Sequence, residues 1–265
     1  TVLEDFHRLV RNQNNLAYLL LFLTMLFWSG NFIVGKAASM YAIPPFSLNF
    51  YRWLFAWLIL LPFTFKEIIK KKDYILSNSG FFIILGITSI TIFNSIVYYS
   101  LYFTQVISGV LMISTIPVMI IFISSLLKIE KTNIFQIFGV ILLKKKKYEL
   151  TQISLLQIVI TFGLIFLVPI YFIEMSMGYL IKLGQPFYLT LTYVVLFPGL
   201  ASFFFWIKGI SIIGANRSGI FLHLMPIFGA IMAMIIFDEK FMFYHFLGAI
   251  FIFMGIILSN KKSTP

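Results

Sequence analysis

The sequence contains no cysteine and few charged residues. Without cysteine it can have neither a disulfide framework nor a thiolate metal site. Only 11% of its 265 residues are charged, against roughly 25% in soluble domains. In contrast, 60% are hydrophobic and the mean hydropathy is +0.99. Because a soluble fold of this length could not keep so much apolar surface out of water, the composition indicates a polytopic membrane protein.

Acidic residues are also scarce, with nine Asp and Glu against twenty Lys and Arg. The basic residues cluster between apolar runs, a pattern that indicates membrane lipids as partners and not nucleic acid. No His/Asp/Glu cluster has metal-ligand spacing, and the sequence has neither a nucleophile elbow nor a phosphate-binding glycine loop. We therefore expect no metal, no cofactor and no enzymatic activity.

A transmembrane helix needs about 20 largely apolar residues. Eight runs predict such helices, near residues 16–35, 45–65, 80–101, 105–127, 153–173, 187–207, 216–237 and 241–259. Backbone groups in lipid must be satisfied within their own segment, so these spans are helices and the fold class is all-α.

The chain repeats itself. One constant shift along the sequence pairs Pro117 with Pro226, Glu130 with Glu239, Lys131 with Lys240 and Gly139 with Gly248. A second, slightly shorter shift pairs Ser47 with Ser154, Pro62 with Pro169 and Glu67 with Glu174. These matches predict two copies of one unit, in residues 1–143 and 144–265.

The second copy has no counterpart of the first span. The apolar segment Thr132–Leu143 rises only about 18 Å, too little to cross a core of about 30 Å. We therefore expect one helical hairpin, most of the fifth and sixth helices, to be missing between Gly139 and Lys144. The alternatives are a true deletion and a stretch that the sequence omits, and the second is preferred.

The distribution of basic residues orients the chain. With the hairpin restored and the N-terminus inside, sixteen Lys and Arg face inward, while Lys36, Lys182 and Lys240 face outward. This bias predicts that both termini are cytoplasmic. Five helices per copy, an odd number, mean that the copies enter the membrane in opposite senses. Such an inverted repeat is typical of secondary transporters that have a site near the midplane.

Several motifs resemble the EamA branch of the drug/metabolite transporter superfamily. They are FWSGNFIVGKAA around Trp28 to Ala38, the early arginine Arg52 of the second span, YYSL from Tyr98, and GANRSGIFLHLMP before the second repeated glutamate. The resemblance implies ten helices in two inverted five-helix repeats. It also implies export of amino acids, metabolites or drugs across the inner membrane.

Two titratable residues are candidates for substrate or proton binding. Arg52 lies about seven residues into its span, about 10 Å deep. It either snorkels between Tyr51 and Trp53 or attracts a substrate carboxylate. His223 is the most central titratable group, since none of the nine acidic residues falls at mid-span. It is either a hydrogen-bonded packing residue or the proton site of a coupled transporter.

The repeated prolines and glutamates have predicted roles of their own. Pro117 and Pro226 lie near mid-span, where a proline removes a backbone hydrogen bond. Each is either a static kink or a hinge for alternating access. We expect Glu130 and Glu239 to cap the helix that follows each tight turn, and substrate or ion binding is the alternative.

Five further residues lie on spans that line the central cavity in the family fold: Trp28, Asn31, Asn94, Tyr98 and Trp206. With Arg52 and His223 they form the predicted substrate site. We expect a transporter that exports small metabolites, amino acids or related solutes, by alternating access. The alternatives are a drug or sugar-conjugate carrier and a non-transporting membrane scaffold.

Overall fold

The computed structural model describes residues 2–115, 150–248 and 250, and every element in them is helical. The first part contains α1 (Val2–Met40), α2 (Pro45–Lys70), α3 (Lys72–Ser77), α4 (Ser79–Gly86), a π-helical segment (Ile87–Phe93), α5 (Asn94–Ser100) and α6 (Val106–Ser114). The second part contains α7 (Gln152–Ser176), α8 (Gln185–Val194), a π-helical segment (Val195–Ala201), α9 (Ser202–Ile213), α10 (Ala215–Gly219), a 3₁₀ segment (Ile220–His223) and α11 (Leu224–Phe237).

Five continuous helical stretches of the described residues are long and apolar enough to cross a membrane: Asn12–Met40, Ser79–Ser100, Gln152–Ser176, Gln185–Ile213 and Arg217–Phe237. Helix α2 has 26 residues and corresponds to the predicted span at 45–65. The all-α polytopic fold predicted from the sequence is confirmed.

The two π-helical segments lie at equivalent positions of the two copies. Ile87–Phe93 and Val195–Ala201 have the same length, and a single shift along the sequence places one on the other from end to end. Because π-helical turns are rare and concentrate at functional sites, their recurrence indicates a functional region at this depth of both spans. Apolar periodicity gives no signal for them, and sequence analysis missed them.

Contacts divide the chain into two compact units, each drawn from both halves of the sequence. The first unit contains described residues from 2–30, 105–115 and 202–250, and the second contains 31–104 and 150–201. The second unit holds helices α2 and α7, which are equivalent under the shift that pairs Glu67 with Glu174.

Within the second unit, Glu174 at the end of α7 caps the beginning of α2. Its carboxylate accepts hydrogen bonds from the backbone N–H of Phe46 (3.1 Å) and Ser47 (2.6 Å) and from the Ser47 hydroxyl (2.7 Å). Only 6% of Glu174 is exposed. The N–H groups of a helix's first turn have no partner in the helix, so the carboxylate satisfies donors that lipid cannot.

Glu67 at the end of α2 makes the matching contact at the beginning of α7. Its carboxylate accepts from the Thr151 N–H (2.7 Å), the Thr151 hydroxyl (2.6 Å) and the Ser154 hydroxyl (2.6 Å). Each helix therefore ends where the other begins. Helices α2 and α7 run antiparallel, as an inverted repeat requires.

Glycines allow α4 and the following π-helical segment to lie directly against α7. A Cβ atom on Gly86 would come within 2.7 Å of the Gly163 backbone nitrogen, and one on Gly163 within 2.4 Å of the Ile90 Cβ. The Thr91 hydroxyl donates to the Gly163 carbonyl at 2.8 Å. Small residues and a hydroxyl at a close crossing are a common means of helix association in membranes.

Replacing Glu174 with Gln tests the cap on α2. The amide removes the charge and places N–H groups opposite backbone donors, so we expect a loss of about 2 kcal/mol of unfolding free energy. The measurement is unfolding in detergent micelles. The control is Ser176→Ala, because the hydrogen bond of the Ser176 hydroxyl to a described residue goes to the Ile173 carbonyl in its own helix. Equal stability of the Glu174 variant and the wild type would contradict the cap.

The Glu67 cap predicts a pH dependence of stability. Burial tends to raise the pKa of Glu67, but hydrogen bonds from Ser154 and Thr151, aided by the charge of Lys71, outweigh it and lower the pKa below its ordinary value. The contribution of the Glu67 cap to the unfolding free energy is therefore complete above the unfolded pKa of about 4.3. It is lost as the pH falls through the folded pKa.

Unfolding of the wild type and of Glu67→Gln between pH 7 and pH 3 measures this contribution. We expect the wild type to be more stable at pH 7 and the difference to shrink on acidification. Asp73→Asn, at an exposed site just beyond the end of α2, controls for general charge effects. A difference that stays constant over the whole range would exclude the mechanism.

Candidate functional site

Four of the predicted site residues meet in the second unit, around the guanidinium of Arg52. Arg52 Nη1 donates to Tyr98 Oη (2.7 Å), Asn94 Oδ1 (3.0 Å) and Asn31 Oδ1 (3.3 Å). The Tyr98 hydroxyl in turn donates to Asn31 Oδ1 at 2.7 Å. We call these four residues the Arg52 cluster. It links α1, α2 and α5.

The positive charge of the Arg52 cluster is buried and has no acidic partner among the described residues. Arg52 is 4% exposed, and it forms no ion pair with any residue that the structure describes. Its Nε has no hydrogen-bond partner among these residues. The guanidinium lies 4.8 Å from the Trp53 ring centroid and 5.9 Å from that of Tyr98. Neutral oxygens and aromatic faces stabilise a cation only partly, so the site favours an added anion.

Both π-helical segments contribute to the surroundings of Arg52. Asn94 follows the first segment directly, and its amide donates to the Ser89 carbonyl at 2.7 Å. In the second segment, a Cβ on Gly199 would lie 3.8 Å from Arg52 Nε and 2.8 Å from the Val194 carbonyl oxygen. A side chain at Gly199 would therefore begin beside the unpaired guanidinium nitrogen and too close to the Val194 carbonyl.

One member of this polar region was missed by sequence analysis. Asn49, which is fully buried, lies one turn before Arg52 on α2. Its amide donates to the Ile90 carbonyl (3.0 Å) and to the Ser95 hydroxyl (2.9 Å). An amide one turn from an intramembrane arginine was the available signal, since such a group in lipid needs a partner.

The other predicted site residues belong to the first unit. The rings of Trp28 and Trp206 lie 5.6 Å apart between centroids. One residue further along α1, the Ser29 hydroxyl donates to the Met225 carbonyl at 2.7 Å, next to Pro226. These contacts hold α1 against α9 and α11.

His223 and Pro226 lie where the helical geometry changes. His223 is the last residue of the 3₁₀ segment, and Pro226 is the third residue of α11. The 3₁₀ segment and α11 form one continuous helical stretch, and Pro226 lies in the first turn after the change from 3₁₀ to α geometry. The structure records no hydrogen bond from the His223 side chain to a described residue.

Glu239 caps a different helix from the one predicted. Its carboxylate accepts from the backbone N–H of Val106 (2.7 Å) and Ile107 (3.0 Å), which begin α6. The expectation that Glu239 caps the helix following its own turn is wrong. The donors of α6 are distant in sequence, and a carboxylate beside a turn does not reveal which helix it reaches. Asp238, with φ 52°, makes the turn that directs Glu239 away.

Pro117, Glu130, Lys131 and the predicted short segment Thr132–Leu143 lie outside the described residues, so their roles stay predictions. Within the described ranges, no three His, Asp or Glu side chains lie close enough together to hold a metal ion.

Together these features define a multi-pass membrane protein with antiparallel equivalent helices and a buried cation. A profile of the EamA-like transporter family matches residues 15–144 and again 141–261. The two matches cover nearly the whole sequence, so the chain belongs to the EamA-like transporter family, and it is a membrane transporter.

A curated relative is the "Uncharacterized transporter YetK" of Bacillus subtilis (strain 168). It is 26% identical over 297 residues, which cover 94% of this chain and 88% of the relative. This alignment is longer than the 265 residues of the chain. Some residues of the relative are therefore aligned with gaps in this chain. No solved structure matches the chain significantly.

Removing one hydroxyl from the Arg52 cluster tests how much its hydrogen bonds contribute to stability. In Tyr98→Phe, Arg52 loses its shortest hydrogen bond and Asn31 loses a donor, so we expect a loss of about 1–2 kcal/mol of unfolding free energy. Unfolding in micelles measures it. The matched control is Tyr99→Phe at the neighbouring position, where the ring packs on Phe46 and Phe103 and half of the side chain is exposed. Equal effects of the two variants would show that the hydroxyl of Tyr98 contributes nothing.

Proposed function

We propose that this transporter exports small solutes that carry a carboxylate, amino acids or related metabolites, and that Arg52 receives the carboxylate. The observation that carries the proposal is the buried guanidinium, whose described partners are all neutral. A buried cation is costly unless an anion compensates it. A bound carboxylate supplies that anion, and a guanidinium can bind it through two parallel hydrogen bonds.

The partners of Arg52 fit this role as positioning groups. Tyr98, Asn94 and Asn31 all bond the same nitrogen, Nη1, while Nε has no described partner. The side chain is thus fixed through one nitrogen, while the buried Nε is left without a hydrogen bond to a described residue. A fixed guanidinium loses little rotamer entropy when the ligand binds, and this favours affinity.

Alternating access is the mechanism that we propose for the transport step. It is supported by the antiparallel arrangement of the equivalent helices α2 and α7, since inverted repeats allow one site to open to each side in turn. The 3₁₀ segment before Pro226 is a candidate hinge, because a 3₁₀ stretch inside a helix often occurs at such points. His223, the last residue of that segment, is the candidate proton site if a proton gradient drives transport.

The orientation and the membrane are part of the same proposal. The excess of inward-facing Lys and Arg supports cytoplasmic termini. We place the protein in the inner membrane, with outward transport. Trp28 and Trp206 remain predicted members of the solute site, as aromatic contacts for the apolar part of the solute. We also propose that one helical hairpin is missing after Gly139, because the second copy has no counterpart of the first span.

Counterflow in proteoliposomes, with amino acids, nucleosides and cationic drugs as separate substrates, tests the proposed function. We expect exchange of amino acids and not of the other two classes. For Arg52→Gln we expect kcat/KM for amino acids to fall at least tenfold, because a charged hydrogen bond contributes about 1.5–3 kcal/mol. Arg52→Lys keeps the charge but not the paired geometry, so it should retain part of the activity.

Thermal unfolding of each variant separates binding from folding. If Arg52→Gln folds but transports amino acids as well as the wild type, Arg52 does not receive the carboxylate. If it loses transport of every solute in proportion to its lost stability, Arg52 is a structural link between α1, α2 and α5. Exchange of none of the three solute classes by the wild type would contradict the proposed function itself.

A further inference from the structure

A second concave surface of the second unit lies apart from the Arg52 cluster residues. It is a cavity of about 730 Å³ lined by α2, α7, the connection 177–184, α8 and the π-helical segment that follows α8. On α2 its lining residues are Ser47, Tyr51, Phe55 and Ile59. We call it the α2–α7 groove, and none of the four residues of the Arg52 cluster lines it.

The chemistry of the groove favours an apolar ligand. Its lining contains no Asp, Glu, Lys, Arg or His side chain among the described residues. The Tyr51 and Tyr171 hydroxyls share one hydrogen bond at 3.1 Å. The remaining lining is largely aromatic and aliphatic. A carboxylate placed here would be desolvated without a cationic partner, whereas a hydrocarbon chain would bury apolar surface at no such cost.

The length of the groove matches one leaflet of a bilayer. Its α2 wall begins at Ser47, in the first turn of the helix, and reaches Ile59. A helical wall of this extent rises about 18 Å, and half of the hydrocarbon core is about 15 Å. The groove therefore runs from the membrane surface, where α2 begins, to about the midplane.

The connection 177–184 forms the surface end of the groove and has the composition of a membrane interface. Tyr179, Leu180 and Leu183 line the groove there and are 58%, 61% and 73% exposed. Lys182 is exposed between the lining residues Ile181 and Leu183, and it makes no ion pair with a described residue. Tyrosine and lysine at this level are typical contacts of the headgroup region, where phosphate carries the negative charge.

We infer that the α2–α7 groove binds one acyl chain of a phospholipid from the surrounding bilayer, with the lipid phosphate beside Lys182. The uncharged lining selects the hydrocarbon, and the length of the α2 wall fits one leaflet. The lysine lies where the headgroup begins. This lipid site is independent of the solute that the transporter carries.

Native mass spectrometry of the purified transporter, incubated with palmitoyl-oleoyl phosphatidylglycerol and then washed with detergent, tests the inference. We expect the wild type to retain one lipid. Met175→Trp, which fills the groove from α7, should weaken retention at least tenfold. Ile165→Trp is the matched control, because Ile165 lies on the same helix, is 57% exposed and does not line the groove. It should retain the lipid as the wild type does.

Two further variants make the result decisive. Leu196→Trp fills the groove from the π-helical segment and should weaken retention even if Met175→Trp does not fold. Lys182→Gln should weaken it about fivefold, the effect of one basic residue at an anionic surface. Retention of the lipid by both groove-filling variants at the level of Ile165→Trp would overturn the inference. So would a wild type that retains no phospholipid, or only detergent or free fatty acid of identified mass.

Discussion

The structure depends on carboxylates that cap the N-termini of helices. The first turn of a helix carries N–H groups that its own backbone cannot satisfy, and in lipid no water replaces the missing partner. Glu174 caps α2, Glu67 caps α7 and Glu239 caps α6. Negative charge is also favourable at this end of the helix dipole. Each cap joins two elements at the same time, so a few acidic residues fix several helix ends.

The acidic residues that cap helices are unavailable to the buried cation. Glu174 and Glu67 are both in the second unit, yet their oxygens are occupied by donors of α2 and α7. Arg52 therefore relies on Asn31, Asn94 and Tyr98, which orient the guanidinium without neutralising it. The same scarcity of acidic residues that identifies a membrane protein by composition also leaves Arg52 without an acidic partner among the described residues.

The sequence predicted those features of the fold that depend on local composition or on exact repetition. Apolar length located the spans that lie within the described residues, and the pairs Ser47–Ser154 and Glu67–Glu174 located the equivalent helices. It did not predict which helix a carboxylate reaches, as Glu239 shows, because that choice depends on packing between distant segments. The π-helical segments were missed because a single inserted residue per turn hardly alters an apolar run. The four residues of the Arg52 cluster could be named, since polar residues in spans are few, but the hydrogen bonds that unite Arg52 with its partners could not be predicted.

Comparison of the two copies separates residues that build the fold from those that serve one site. The capping residues are duplicated, because both copies need their helices terminated in lipid. The Arg52 cluster is not duplicated. The shift that relates α2 to α7 places Val159 opposite Arg52, and the shift that relates the two π-helical segments places Ser202 opposite Asn94. The charge is therefore not among the features that the two copies share. A single arginine is consistent with the proposed solute, which would bind once per molecule.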